Sequence, residues 1–442
     1  MKTILQVILI MILIACSSDD SNQNDENTQN NDTTPPTITL NGDVSVNVIF
    51  AEIYVEQGAT AIDDVDGNLT SEIVVSGDVD TFRLGTYTVT YSVSDSAGNT
   101  AVISRQVNVI DNDNPVYLAE NGLTIKAKEW AEIGDSGEVS GNTYTIISEV
   151  ELRSRVENYE DYKFICTSRV TDVSFLFENL YELTSDITSW DVSNVTTMES
   201  MFENLKFFNQ PIGNWDVSNV TTMESMFQGL EYFYQPIGNW DVSNVTNMAY
   251  MFLGTNFNKP LNNWDVSSVT TMFQMFSYSR FNQPIGDWDV SNVTSMLGMF
   301  SSNYEFNQPI GNWDVSNVTD MKNMFRSNGA FNQPIGNWDV SSVTNMDYMF
   351  SDNTSFNQPI GNWDVSNVTT MAAMFSYSRF NQPLGNWDVS NVTIMQVMFY
   401  NGYAYNQDLS TWQTDNVNDC SGFAVGANNW VLPKPSFQNC SP

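Results

Sequence analysis

Histidine is absent from the 442 residues, and basic residues are scarce: 16 Lys and Arg against 52 Asp and Glu give a formal charge of −36. The first absence removes any His-based triad or imidazole zinc site, and no glycine-rich phosphate loop occurs either. No enzyme is expected. The second leaves no basic stripe with which to neutralise phosphates, which disfavours nucleic acid as a partner and makes an anionic membrane surface repulsive. Only four cysteines are present, with none between Cys16 and Cys166, so a domain in that interval holds together without staples. The apolar run Ile4–Ile14 falls short of the roughly 20 residues that a membrane-spanning helix needs.

What the chain has in abundance is repetition. Ten tryptophans from Trp190 to Trp412 recur every 24 or 25 residues, and a fixed period in that range marks an array whose units stack only on their neighbours. In the unit FNQPIGNWDVSNVTDMKNMF (Phe306 to Phe325), Trp313-x-Val315 has the alternation of a short strand. Val318, Met321, Met324 and Phe325 have helical or 3₁₀ spacing. Each unit is therefore expected to be a coil of strand, turn and helical return, too small to fold alone. Two columns of nine methionines, Met198 to Met395 and Met201 to Met398, hold nearly all of the 20 in the chain. The period places both on the buried face, where Met is an adaptable filler.

The motif I-x-x-W-x-V in Ile310–Val315 is similar to the strand of leucine-rich repeats, and V-T-x-M-x-x-M-F resembles a segment of BspA-like surface proteins. This resemblance runs from about Val116 to Pro442 and implies a bacterial surface lipoprotein with a leucine-rich-repeat-like solenoid. Between Thr37 and Ile110 the pattern changes to alternating runs such as Tyr87-x-Val89-x-Tyr91-x-Val93, separated by Gly and Asp turns. That predicts a β-sandwich, and Gly85-Thr86-Tyr87 with Asp95-Ser96-Ala97-Gly98-Asn99 resembles bacterial immunoglobulin-like spacer domains. Lys2, the apolar run and Leu13-Ile14-Ala15-Cys16 read as a lipoprotein signal, with Cys16 as the lipidated residue of an outer-membrane, surface-exposed protein. The expected organisation is a signal over 1–15, a disordered tether over 16–36 and an immunoglobulin-like sandwich over 37–110. A hinge and N-terminal cap over 111–165, repeats over 166–424 and a C-terminal cap over 425–442 complete it. The fold class is mainly β or mixed.

Candidate sites follow from the columns. Nine aspartates, Asp191, Asp216, Asp241, Asp265, Asp289, Asp314, Asp339, Asp364 and Asp388, follow the tryptophans on the outward face. Strand spacing would put them about 4.8 Å apart, a repulsion of about 0.8 kcal/mol per neighbour even in water. The column therefore needs donors, cations or raised pKa values, and reads as a hydrogen-bonded ladder or a Ca²⁺- or glycan-binding face. The freely varying columns, inside M-x-x-M and after Met-Phe, carry Tyr250, Phe273, Tyr278, Tyr304, Tyr348 and Tyr377, with Tyr232, Tyr400 and Tyr403 beside them, and exposed aromatics anchor interfaces. Asp63, Asp64, Asp66 and Asp95 raise a possible Ca²⁺ site, although their spacing is not an EF-hand and turn chemistry also explains them. Cys420 lies in the first Met column and Cys440 in the tail, so a disulfide clamping the tail over the last coil is expected. Cys166, in the Asp column, has no evident partner. The functions these features suggest are adhesion to a surface protein, polysaccharide capture, or a passive spacer. The chain is expected to be monomeric and held to the membrane by the N-terminal lipid alone.

Overall fold

The structure, a computed structural model, describes residues 32–183 and 185–442. The expected lipoprotein signal, Cys16 and most of the expected tether lie outside the described residues. The chain forms two compact units divided between Asn112 and Asp113. Among the described residues strands and turns dominate, helix is rare, and no barrel closes.

Among its described residues the first unit has seven strands: β1 (Thr37–Leu40), β2 (Ser45–Ile49), β3 (Ala59–Asp63), β4 (Gly67–Asn68), β5 (Val74–Ser76), β6 (Gly85–Ser94) and β7 (Thr100–Ile110). They form two sheets, β1-β3-β4 and β2-β7-β6-β5, with β2 parallel to β7 and the other pairs antiparallel. The alternation read from the sequence decides which face is buried: Val89, Tyr91 and Val93 point inward along β6, because successive residues of a strand face opposite sides. Ala59 and Val107 meet Val89 and Tyr91 in the core.

The second unit opens with β8 (Val116–Leu118), β9 (Ile125–Ala127), β10 (Ser136–Val139), β11 (Asn142–Ile146), helix α1 (Glu149–Glu157) and β12 (Ile165–Cys166). Strands and turns are expected here; the helix is a correction. Its signal is local: the Ser148 hydroxyl accepts the Glu151 amide at 3.1 Å, and Ser followed three residues later by Glu is a capping-box sequence. Arg153 and Arg155 then pair with Glu149 and Glu151 one turn earlier, while Leu152 and Val156 are buried against the first coil. Cys166 is buried with Val116, Ile125 and Ile146, which removes it as a link between chains. Its Sγ donates to the Ile125 carbonyl at 3.5 Å, and burial pushes its thiol pKa up.

From Val170 on, one repeat stacks on the next. Ten parallel bridges, from Asp172↔Thr197 to Ile394↔Asp419, join each unit to its neighbour at the residue between Val-Thr and Met. The strand expected at Trp-x-Val is not there, and neither is the helical return. Around Trp313 the chain turns instead, with the Trp313 amide on the Ile310 carbonyl and the Val318 amide on Val315. Along M-x-x-M-F the amides alternate. Those of Met321, Asn323, Phe325 and Ser327 reach the following coil, whereas Met324 and Arg326 bond three residues back, to Met321 and Asn323. A three-residue spacing of apolar side chains is thus produced by chained turns, and sequence period alone does not separate these from a helix.

Between coils the ladder is completed by side chains. Trp338 Nε1 donates to the Ile310 carbonyl at 3.1 Å and Asn317 Nδ2 to the Ser291 carbonyl at 2.7 Å. Asn332 accepts the Asn357 amide at 3.0 Å. At Gly311 a Cβ would lie 2.4 Å from the Pro334 carbonyl of the next coil, so a side chain there would force the stack apart. Inside, Trp, Val, Met and Phe columns are buried in one continuous core. Tyr405 takes the Phe position of that core, and its buried hydroxyl has no partner. Removing an unsatisfied buried hydroxyl typically gains about 1–3 kcal/mol, so Tyr405→Phe should raise the urea midpoint of the repeat unit. A lower midpoint would mean that the hydroxyl is satisfied after all.

Candidate functional site

The aspartate column proves to be locally capped. Asp314 Oδ1 accepts the amide of Ser316 at 3.1 Å and its hydroxyl at 2.6 Å, and Asp216, Asp241, Asp265 and Asp289 are held in the same way by the serine two residues on. Asp339, Asp364 and Asp388 accept at least the serine amide. Donors, one of the three remedies for repulsion, are in place. The serine hydroxyl first and its amide second hold the carboxyls of Asp241, Asp289, Asp339 and Asp388 below their ordinary value, the reverse of a raised pKa. Asp191 departs from the outward-facing expectation. The N-terminal cap folds over it, so it is buried, bonded by Ser168 and Ser193, with Lys126 Nζ 3.7 Å away.

The free columns hold a different geometry. Two positions in each coil have positive φ: the second residue inside M-x-x-M and the second after Met-Phe. Gly229 and Gly298 occupy them at 73° and 62°, but Tyr250, Tyr278, Tyr348 and Tyr377 occupy them at 58°, 53°, 57° and 55°. A non-glycine residue in this left-handed region costs about 1–2 kcal/mol. Large side chains are therefore held where glycine would be easier, and strain of that kind is a pointer to use at a surface.

Stacking brings four of these coils together as a groove of about 470 Å³, lined by Arg326, Tyr348, Asp352, Tyr377 and Tyr400 among others. The Arg326 guanidinium sits 5.1 Å over the Tyr348 ring, a favourable placement for a cation on an aromatic face. Tyr377 and Tyr400 meet edge to face at 5.4 Å, and Ser327 donates to Asp352 Oδ2 at 3.2 Å. Of the aromatic residues singled out in the sequence, Tyr348, Tyr377 and Tyr400 join this groove. Tyr250 and Phe273 pair with each other at 4.7 Å, and Tyr278 and Tyr304 stand apart, each 67% exposed. Sequence reasoning passed over Arg326, although it is the one basic residue in the column that directly follows Met-Phe. It also passed over Tyr181 and Phe207, which form an exposed ladder with Tyr232, the rings following one another at 6.1 and 5.4 Å.

In the first unit the acidic residues separate. Asp63 and Asp95 come together with Asp32, which the sequence reading did not include. Asp64 is exposed, and Asp66 is turned to the hairpin, accepting the Ser96 amide at 2.6 Å and its hydroxyl at 2.9 Å. At the far end of the repeats, Cys420 and Cys440 are joined as a disulfide.

Residues 150–258, 254–354 and 327–431 match the family described as Mycoplasma protein of unknown function, DUF285. Residues 38–109 match the one described as bacterial surface protein, Ig-like domain. No curated protein matches. Among solved structures, the chain is similar to a lipoprotein from Bacteroides thetaiotaomicron at 24% identity and a TM-score of 0.17, over 19% of this chain and 43% of that one. The chain thus spans less than half the length of that lipoprotein.

Proposed function

Since the chain belongs to the family described as Mycoplasma protein of unknown function, DUF285, and carries a bacterial surface Ig-like domain, we propose that it is a surface-displayed adhesion protein. In this reading Cys16 carries the lipid anchor in the outer membrane, the Ig-like unit is a spacer, and the stacked coils are a BspA-like solenoid of leucine-rich-repeat type. The partner is a surface protein, which lays a loop or extended segment along the groove between Arg326 and Tyr400. The observation that carries this is the groove where Tyr348 and Tyr377, both held at positive φ, meet Tyr400 and Arg326, because aromatics and Arg are the side chains that anchor protein interfaces. The excess of acidic residues would speed encounter with a basic face and make the on-rate fall with salt. The aspartate column supports polysaccharide capture less well, because one oxygen of each carboxylate is already taken by its own serine.

The test uses a positive-φ substitution. Tyr348→Gly with Tyr377→Gly removes both rings and relieves the backbone, so the melting temperature should hold or rise. Binding to an array of cell-surface and matrix proteins should meanwhile fall at least about tenfold, since interface anchors are typically worth 2 kcal/mol or more. Binding confined to polysaccharides would replace adhesion by glycan capture, and binding that survives the double variant would remove the groove from the site.

A further inference from the structure

The acidic cluster of the first unit is independent of the repeat face. One carboxylate oxygen from each of Asp32, Asp63 and Asp95 lies within 4.8 Å of the other two. They come from three separate stretches: Asp32 precedes β1, Asp63 ends β3, and Asp95 follows β6 directly. Asp63 and Asp95 are only 5% and 8% exposed.

Most of the hydrogen bonding here is turn chemistry, as the sequence suggests. Asp63 Oδ1 accepts the amides of Val65 at 2.9 Å and Asp66 at 2.8 Å. Asp95 is held by Asn99, whose amide reaches Oδ1 and whose Nδ2 reaches Oδ2, both at 2.8 Å. The same Nδ2 donates to the Asp32 carbonyl at 3.1 Å, which draws the lead-in segment against the hairpin. What turn chemistry leaves over is Asp63 Oδ2, which is buried and accepts no hydrogen bond. Among the described residues no Lys or Arg pairs with Asp63 or Asp95. A buried carboxylate oxygen without a donor is expensive, and packing two further carboxylates beside it adds repulsion. A cation removes both penalties at once.

We propose that Asp32, Asp63 and Asp95 form a calcium site that clamps the segment before β1 to the loops after β3 and β6. Calcium takes six to eight oxygens at about 2.3–2.6 Å in irregular geometry. Two oxygens on one such ion are at most about 5 Å apart, which the three carboxylates satisfy. Zinc prefers nitrogen and sulfur ligands, and the cluster offers none. Carbonyls of the same loops and water would complete the shell. Asp64 and Asp66 lie outside it, one exposed and the other occupied by Ser96.

The test is calorimetric titration of the whole chain, stripped with chelator, with CaCl₂ and separately with MgCl₂. Parallel thermal melts and limited proteolysis near residue 32 accompany it. We expect saturable one-site Ca²⁺ binding, a higher melting temperature for the first transition and slower cleavage of the lead-in. Asp63→Asn should weaken binding by about tenfold or more, as removal of ligand charge does, while Asp64→Asn should leave it unchanged. No Ca²⁺ binding by the wild-type chain would overturn the proposal, whether or not the variants fold. So would equal binding by Asp63→Asn, or an equal effect of Mg²⁺.

Discussion

Phe325→Ala is expected to destabilise the repeat unit by about 3–5 kcal/mol, the range for truncating a fully buried aromatic. The ring stacks on Phe300 and Phe350 of the flanking coils at 5.8 and 5.7 Å, on Phe331 at 3.9 Å, and lies 6.4 Å from Trp338. Its removal therefore opens a cavity shared by three coils, and the neighbours have little freedom to close it. Gly311 and Pro334, and the backbone bonds from Met321 to Asn345 and from Phe325 to Met349, fix the spacing of the stack. In an array whose units contact only their neighbours, a weak interface in the middle also divides cooperativity. Urea unfolding followed by tryptophan fluorescence should show a lower midpoint and a shallower or two-step transition. A loss below about 1 kcal/mol with unchanged slope would mean that the coils relax around the gap, against the close-packed core described above.

The quantities that govern this core were legible in the sequence. The tryptophan period gave the length of a coil, and the Met and Phe columns gave its buried face, because ten copies constrain each column far more than one copy can. The first unit was legible for a similar reason: alternation along Tyr87 to Val93 specifies which side of a strand is buried. The path of the chain within a coil was not legible. Val318, Met321 and Met324 recur every three residues in a helix and also in chained turns that pass through a left-handed residue every fourth position. What separates the two is the φ of Asn323 and Ser327, which spacing does not encode. The capping box at Ser148 was available but weak, since the helix it starts buries only Leu152 and Val156.

The groove and the acidic cluster were legible in part. Tyr348 and Tyr377 stood out because their columns vary. Arg326, Tyr348, Tyr377 and Tyr400 come from four successive coils, however, so their convergence depends on the stack's register as well as on each column. Asp32 was harder, because it lies in a polar stretch with no pattern and reaches Asp63 and Asp95 only through the fold of β3 and β6. The aspartate column shows the opposite case. The donor that holds each carboxylate was written two residues later, in the serine of D-V-S.

Cys440→Ser is the second change with a large expected effect, and it acts only at the end of the array. The disulfide to Cys420 closes a separation of 20 residues, which in the chain-entropy account is worth about 3 kcal/mol. Cys420 itself is buried in the core, so substituting Cys440 breaks the link without placing a polar group inside. The tail that the link holds is the lid of the last coil. Trp430 packs 4.7 Å from Tyr405 and 5.1 Å from Phe399, and Phe437 packs 5.0 Å from Phe423. Trp430 Nε1 donates to the Gln407 carbonyl at 2.9 Å, and the Leu409 amide donates to the Pro433 carbonyl at 3.0 Å. Without the link, those contacts alone must offset the entropy of a free tail, about 1–2 kcal/mol for each backbone it orders. The variant should therefore expose Phe423 and Phe437, bind a hydrophobic dye and lose the last coils at a lower temperature. The interior coils should keep their midpoint, because stability in a stack is a nearest-neighbour property. Dithiothreitol should give the wild-type chain the same behaviour, and Cys166, buried beneath the N-terminal cap, cannot replace the missing partner. If the variant melts like the wild type in a single transition, the aromatic contacts alone hold the lid, and the disulfide is incidental to the closure of the array.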